Sequence, residues 1–342
     1  MRRRSVLLAV PALMLTAAGC GNDSKKSDSA ASDSPSASGS PSTSASATPS
    51  ATPSATPSTK IVSGPVPKVT SGTAFNTKPT VAKGTGTPST DLAVKTLIPG
   101  DGTAVASGDI VQVNYLGQVW STAKVFDTNF GKTPYAFQTG SQAVIPGFEK
   151  AVIGAKQGGR VITAIPPALG YGTSGNAQAG IKGTDTLVFV IDVLNVYTGK
   201  DSAKGKVVPQ TDANLPKVGT NTDGKAPSLT VPKTKAPTKL VSTYVLEGDG
   251  KTVKASDTLV VQYKGVLWDT GKEFDSSYSR HQVTQFPLAN VIPGWTQGLT
   301  GKKVGSRVML VTPPALAYKD QANGPVPANA TLVFSVDIIA VL

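Results

Sequence analysis

This chain repeats itself, and the repeat limits what it can fold into. GDGTAVASGDIVQVNYLGQVW begins at Gly100 and GDGKTVKASDTLVVQYKGVLW at Gly248, an offset of 148. That offset holds from Pro79 and Pro227 through Tyr115 and Tyr263, Trp120 and Trp268, and Phe126 and Phe274. It becomes 147 by VIPGF at Val144 and VIPGW at Val291, and stays there through RVITAIPP at Arg160 and RVMLVTPP at Arg307. After one more small gap come DTLVFVIDVLNV and ATLVFSVDIIAV. A unit of this length is a domain, since solenoid modules run to about 20–45 residues. The gaps fall between motifs, where turns belong. Two tandem domains are therefore expected, over 92–198 and 239–342. The Pro-, Lys-, Thr- and Gly-rich stretch 199–238 reads as the linker between them.

The two copies carry the same strand pattern. Val111, Val113 and Tyr115 alternate with Gln112 and Asn114, and Leu259, Val261 and Tyr263 match them. Leu187, Phe189, Ile191 and Val193 form one face of a late strand, as do Leu332, Phe334, Val336 and Ile338. Period-two alternation predicts a sheet with one buried face. One short helix is predicted after each VIPG, over Phe148–Ala155 and Trp295–Lys302. Each copy is thus α+β, an antiparallel sheet folded over one helix.

Composition removes most catalytic chemistries. The chain has one cysteine and one histidine. An internal disulfide is impossible, and a His/Cys zinc site is disfavoured. A thiol–imidazole pair would have to join Cys20 to His281 across the chain, and nothing near His281 resembles a nucleophile elbow. No cofactor motif is present. The net charge is +12, but the lysines are scattered and form no run. That pattern is a solvated basic surface, not a nucleic-acid site.

The N-terminus opens MRRRSVLLAVPALMLTAAGC. Arg2, Arg3 and Arg4 precede a short apolar stretch, Val6 to Leu15, too short to span a bilayer as a helix. This reads as a secretory signal peptide. Ala17, Ala18 and Gly19 lead into Cys20, and the whole resembles a bacterial lipoprotein signal. Ala17 stands where such signals prefer leucine. The resemblance implies a lipid on Cys20 and a place on the outer face of the cytoplasmic membrane. Acyl chains contribute about 0.8 kcal/mol per buried methylene, so two or more anchor stably. The Arg3–Arg4 pair before Ser-Val-Leu also looks like a twin-arginine export signal. Residues 21–75 follow, dominated early by Ser, Ala, Thr and Pro. They are predicted to form a disordered stalk, for want of large apolar side chains to offset the entropy of ordering.

The ordered motifs of each copy resemble the FKBP-type peptidyl-prolyl isomerases. In sequence these are GDG, then Tyr-x-Gly (Tyr115 to Gly117, Tyr263 to Gly265), and Phe-Asp (Phe126-Asp127, Phe274-Asp275). Next come V-I-P-G-aromatic, a strand ending Pro-Pro, a loop tyrosine (Tyr171, Tyr318) and T-L-V-F. Each motif alone is weak; seven in order, twice, are specific. The resemblance covers about 95–198 and 243–342.

It implies a half-barrel sheet around one helix, with an apolar proline pocket between them. Carried over, the first pocket is Tyr115, Phe126, Asp127, Phe137, Val144, Ile145, Phe148, Tyr171 and Phe189. The second is Tyr263, Phe274, Asp275, Phe286, Val291, Ile292, Trp295, Tyr318 and Phe334. Phe148 and Trp295 match the pocket floor. The Ile145 and Ile292 N–H groups and the Tyr171 and Tyr318 phenols match donors to a ligand carbonyl. Implied partners are proline-containing polypeptides, with macrolides as inhibitors, and the implied activity is isomerisation during folding of exported proteins. The alternative is a chaperone module that grips proline segments with little turnover.

Taken singly, the phenylalanines, Trp295, Tyr115 and Tyr263 would be core in any such fold. Asp127, Asp275, Tyr171 and Tyr318 have little core reason and lean functional. The copies differ. Copy one has Phe148 where tryptophan is usual and TNF after Phe-Asp; copy two has Trp295, FDSS and Lys319 after its loop tyrosine.

Overall fold

Strands rich in Val and Ile build two sheets of the same plan. In repeat one the order from edge to edge is Ile61–Val62, Leu92–Pro99, Gly159–Ile165, Leu187–Tyr197, Ile110–Val119, Val125–Thr128. Tyr135–Gln138 also pairs with Ile110–Val119. In repeat two it is Lys206–Val207, Val241–Glu247, Arg307–Thr312, Leu332–Val341, Thr258–Leu267, Glu273–Ser276, with Thr284–Pro287 on Thr258–Leu267. Pairing is antiparallel except where Ile61–Val62 runs parallel to Leu92–Ala93. These strands belong to a computed structural model that describes residues 60–342. The signal peptide, Cys20 and the stalk up to residue 59 lie outside the described residues.

One α-helix lies in each sheet's concavity, Pro146–Val152 and Pro293–Leu299. Both begin two residues earlier and end three sooner than expected. Proline at the first helical position has its φ pre-set and needs no N–H bond there. Gly154 and Gly301, at φ +81° and +82°, turn the chain out of the helix. Phe148 and Val152 join Val111, Val113, Ile165, Phe189 and Ile191 in one core. Trp295 and Leu299 join Leu259, Val261, Leu310, Phe334 and Val336 in the other.

The expectation of a single buried face is wrong for both sheets. Every residue of Gly159–Ile165 and of Arg307–Thr312 is buried. The outer face is covered by the segment preceding each domain, and this corrects two boundaries. Residues 60–75, expected to end the stalk, are strand and loop against repeat one. Residues 199–238, expected to be a linker, form the matching strap of repeat two. The first strap carries the hairpin Val69–Ser71 with Thr80–Val81; the second carries Lys217–Val218 with Leu229–Thr230. Val62, Val66, Val69 and Val81 pack on Trp120, Ile162, Val188 and Val190. Leu215, Val218, Leu229 and Val231 pack on Trp268, Met309, Val311 and Val333.

Under each strap lies a fully buried ion pair. Arg160 Nε donates to Asp192 Oδ1 at 2.5 Å, and Arg307 Nε to Asp337 Oδ1 at 2.6 Å, with no exposed side-chain surface on any partner. The strap completes each guanidinium. Arg160 donates to the carbonyls of Gly72 and Thr77 at 2.5 and 2.7 Å, and Arg307 to those of Gly219 and Asn221 at 2.7 and 2.9 Å. The strap also feeds the acids: Asn76 N–H donates to Asp192 and Ala203 N–H to Asp337. A buried charge is tolerated only when its hydrogen-bonding capacity is filled in this way.

The repeats meet across a small apolar patch of Ile110, Val260, Val283 and Ala340, with Tyr197 beside it. Gln138 Nε2 donates across it to the Val283 carbonyl at 3.3 Å.

Candidate functional site

Each concavity holds a cup of aromatic rings packed edge to face. In repeat one Phe148 meets Phe189 at 5.2 Å, Tyr115 at 5.6 Å and Phe137 at 5.8 Å between centroids, and Phe126 meets Phe189 at 5.5 Å. In repeat two Trp295 meets Tyr263 at 5.4 Å, Phe334 at 5.4 Å and Phe286 at 5.8 Å, and Phe274 meets Phe334 at 5.5 Å. Such pairs favour T-shaped contacts because each ring has a negative face and a positive edge. The glycine of Tyr-x-Gly makes the cup possible. A β-carbon on Gly117 would lie 2.7 Å from the Phe126 and Phe189 rings, and one on Gly265 2.6 Å from Phe274.

Strand pairing places the rim. Gly117 faces Asp127 across the ladder, as Gly265 faces Asp275. The carboxylates then reach the phenols: Tyr115 Oη donates to Asp127 Oδ2 at 2.5 Å, and Tyr263 Oη donates to Asp275 Oδ2. Burial, reinforced by the bond to Asp275, pushes the Tyr263 phenol up to about 12. Burial and Asp127 push Tyr115 up as well. Both phenols are held as donors at neutral pH.

Val144 and Ile145 pack against the first core, and Val291, Ile292 and Tyr318 against the second. The Ile145 and Ile292 N–H groups precede the helix, and neither donates to another group among the described residues. The structure therefore gathers all the expected residues of repeat two. In repeat one Tyr171 stands outside the packed cluster and is 38% exposed. Lys319, which replaces the glycine after the loop tyrosine, keeps the left-handed backbone at φ +56° where Gly172 has +59°. The Trp295 indole N–H is buried without a hydrogen-bond partner among the described residues, an orphan that Phe148 avoids.

Two rim residues escaped the sequence reading. Arg280 pairs with Asp275 Oδ1, donates to Tyr263 Oη at 2.8 Å and lies 5.6 Å over the Tyr263 ring. Residues 60–342 contain three arginines, and the other two form the buried pairs. An arginine in a lysine-rich chain signals a site that needs its planar fork. Tyr135 meets Tyr115 edge-on at 6.4 Å and stacks on Phe137 at 5.9 Å. Its signal was the Tyr-x-Phe alternation on one strand.

A short helix under a curved sheet, with an aromatic cup between them and an acid–phenol pair at the rim, defines a small binding domain present twice. A family model for the FKBP-type peptidyl-prolyl cis-trans isomerase matches residues 102–194 and 249–339, together more than half of the chain. The FKBP-type peptidyl-prolyl cis-trans isomerase FkpA of Escherichia coli K12 is 50% identical over 104 residues, 30% of this chain and 38% of that protein. A "Probable FK506-binding protein" of Corynebacterium glutamicum is 40% identical over 114 residues, 33% of this chain and 97% of that protein. Human peptidyl-prolyl cis-trans isomerase FKBP9 is 30% identical over 236 residues, 68% of this chain and 34% of that protein. The chain spans little over a third of the Escherichia coli and human relatives it matches. It belongs to the FKBP-type peptidyl-prolyl cis-trans isomerase family.

Proposed function

We propose that the chain catalyses cis-trans isomerisation of X–Pro bonds at two aromatic cups. We further propose that a lipid on Cys20 holds it at the outer face of the cytoplasmic membrane, where it assists folding of exported proteins. The observation that carries the catalytic reading is the duplicated cup itself. Five T-shaped ring contacts in the first cup and four in the second line an apolar recess, with a phenol–carboxylate pair at each rim.

The chemistry requires little beyond this. Rotation about an X–Pro amide faces a barrier of roughly 18–20 kcal/mol, and uncatalysed exchange takes about 10–100 s. At the twisted transition state the amide has lost resonance and some charge separation, so an apolar recess favours it over the planar ground state. Phe148 or Trp295 seats the proline ring. The free N–H of Ile145 or Ile292, and the phenol of Tyr318 in repeat two, are placed to hold the flanking carbonyls and so reduce the cost of positioning. Asp127 and Asp275 keep the rim phenols oriented.

The test is a protease-coupled isomerisation assay on the full chain and on Asp127→Ala, Asp275→Ala and the double variant. Each single substitution is expected to remove one site's share, and the double variant to fall by about 10–100-fold while staying folded. Acceleration by none of them, with proline peptides still bound, would leave a chaperone that grips without turnover. Competition by a macrolide would place the ligand in the cups. For the anchor, Cys20→Ser should release the protein from the membrane fraction and abolish incorporation of labelled fatty acid.

A further inference from the structure

The two rims differ in charge. Asp275 is held through both oxygens: Oδ2 accepts from the Tyr263 phenol and Oδ1 pairs with Arg280. Asp127 is exposed, and its Oδ2 accepts from Tyr115 at 2.5 Å. Among the described residues no ion pair includes it. Lys132 occupies the position that Arg280 fills in repeat two, yet its Nζ donates to the Thr128 carbonyl in its own loop at 3.1 Å.

The cause lies in the loops. In repeat one Asn129 pins the loop to the strand, accepting from Tyr115 N–H at 2.7 Å and donating to the Val113 carbonyl at 3.0 Å. In repeat two Ser277 takes the same place, accepting from Tyr263 N–H at 2.8 Å. That loop is one residue longer, and its last residue, Val283, is fully buried at the contact between repeats. The loop thus runs from Ser277 to a fixed end, with Arg280 turned back over Tyr263. The loop of repeat one is held near its start instead, by Asn129 and by Phe130 buried under the strap, and Gly131, Lys132 and Thr133 are exposed.

We propose that the first site selects proline segments with a lysine or arginine beside the proline, through the uncompensated Asp127 carboxylate, while Arg280 cancels the same preference at the second site. This rests on the isomerase reading of both cups. The Tyr115 ring touches the floor ring Phe148, so a carboxylate on its hydroxyl lies within one residue's reach of a seated proline. A chain entering the cup must pass that charge. An exposed attraction of this kind changes affinity by about two- to fivefold and is removed by salt.

The experiment compares three peptides that differ only in lysine, leucine or glutamate before the proline. Isomerisation is followed by exchange NMR, which avoids any bias of a coupling protease. Binding of the same peptides, fluorescently labelled, is followed by anisotropy. The full chain is expected to favour lysine over glutamate about two- to fivefold at about 10 mM salt and to lose the preference near 1 M. Asp127→Asn should abolish the preference. Arg280→Ala should enlarge it, by creating a second free carboxylate at Asp275. Equal handling of the peptides by the full chain, or an unchanged ratio in both variants, overturns the proposal. If no peptide is isomerised, the anisotropy ratios still decide the selectivity, and only the catalytic reading falls.

Discussion

The loop from Thr128 to Pro134 and the loop from Ser276 to Val283 leave the same point of the two repeats and finish their sites differently. The first is pinned near its start, by Asn129 and the buried Phe130, and leaves Asp127 facing solvent. The second is pinned at both ends and lays Arg280 across Tyr263, which is only 5% exposed. The floors below are nearly superposable in their ring contacts. Duplication has therefore kept the apolar recess, where any change of volume disturbs close packing. It has let the rim diverge, where substitutions are cheap and alter only what the recess admits.

The two buried ion pairs look equal, and their loss should cost each repeat alike. Arg160→Ala and Arg307→Ala each strand a buried carboxylate and should each destabilise their own repeat by about 3–5 kcal/mol. Denaturant unfolding of both variants checks this; a large loss in one repeat alone would mean that the two straps do not hold alike.

Alkaline titration gives the next effect. The Tyr263 phenol is raised to about 12, so it stays protonated in the folded state while the unfolded chain ionises near 10. Its contribution to stability is complete below pH 10 and is lost as pH climbs through about 12. Tyr263→Phe should flatten that decline in repeat two, as read from unfolding midpoints between these limits.

Gly84→Ala probes one strap alone. The added β-carbon would sit 2.1 Å from the Trp120 ring, so the indole must move, at about 1–3 kcal/mol. Repeat two has Pro232 at the matching position and the Trp268 indole donates there to Thr234 O at 3.1 Å. The smallest effect sharpens the rims. Arg280→Ala should weaken binding of glutamate-bearing proline peptides at the second site about two- to fivefold, whereas Lys132→Ala should leave the first site unchanged. Peptide titrations of chains with the other site disabled by its aspartate variant separate the two.

The cups were legible because their residues obey period two on strands and follow fixed motifs. Phe189 and Phe334 were placed by alternation alone. Arg280 was not legible, because it reaches the site from a loop whose course depends on Val283 meeting the other repeat. The straps were hidden by composition. Their Pro-, Thr- and Lys-rich segments have few large side chains and read as linker, yet their value to the fold lies in backbone carbonyls and N–H groups offered to a buried ion pair. One signal did exist: the offset of 148 already held at Pro79 and Pro227, upstream of either expected domain. The second buried face was missed for the same reason, since Val188, Val190, Met309 and Val311 need a cover that no motif announced.

The strap also dictates an order of assembly. Gly72, Asn76 and Thr77 are made early, but their partners Arg160 and Asp192 come 88, 116 and 83 residues later. The strand that carries Asp192, Leu187–Tyr197, is the last of its sheet to be synthesised and lies between two others at its centre. A repeat emerging from a ribosome can therefore close neither its sheet nor its strap until its final strand, eleven residues in the first repeat and ten in the second, is out. Such non-local closure is slow. The protein whose family speeds the folding of others has itself to wait, in each half, for the end of the chain to reach the beginning.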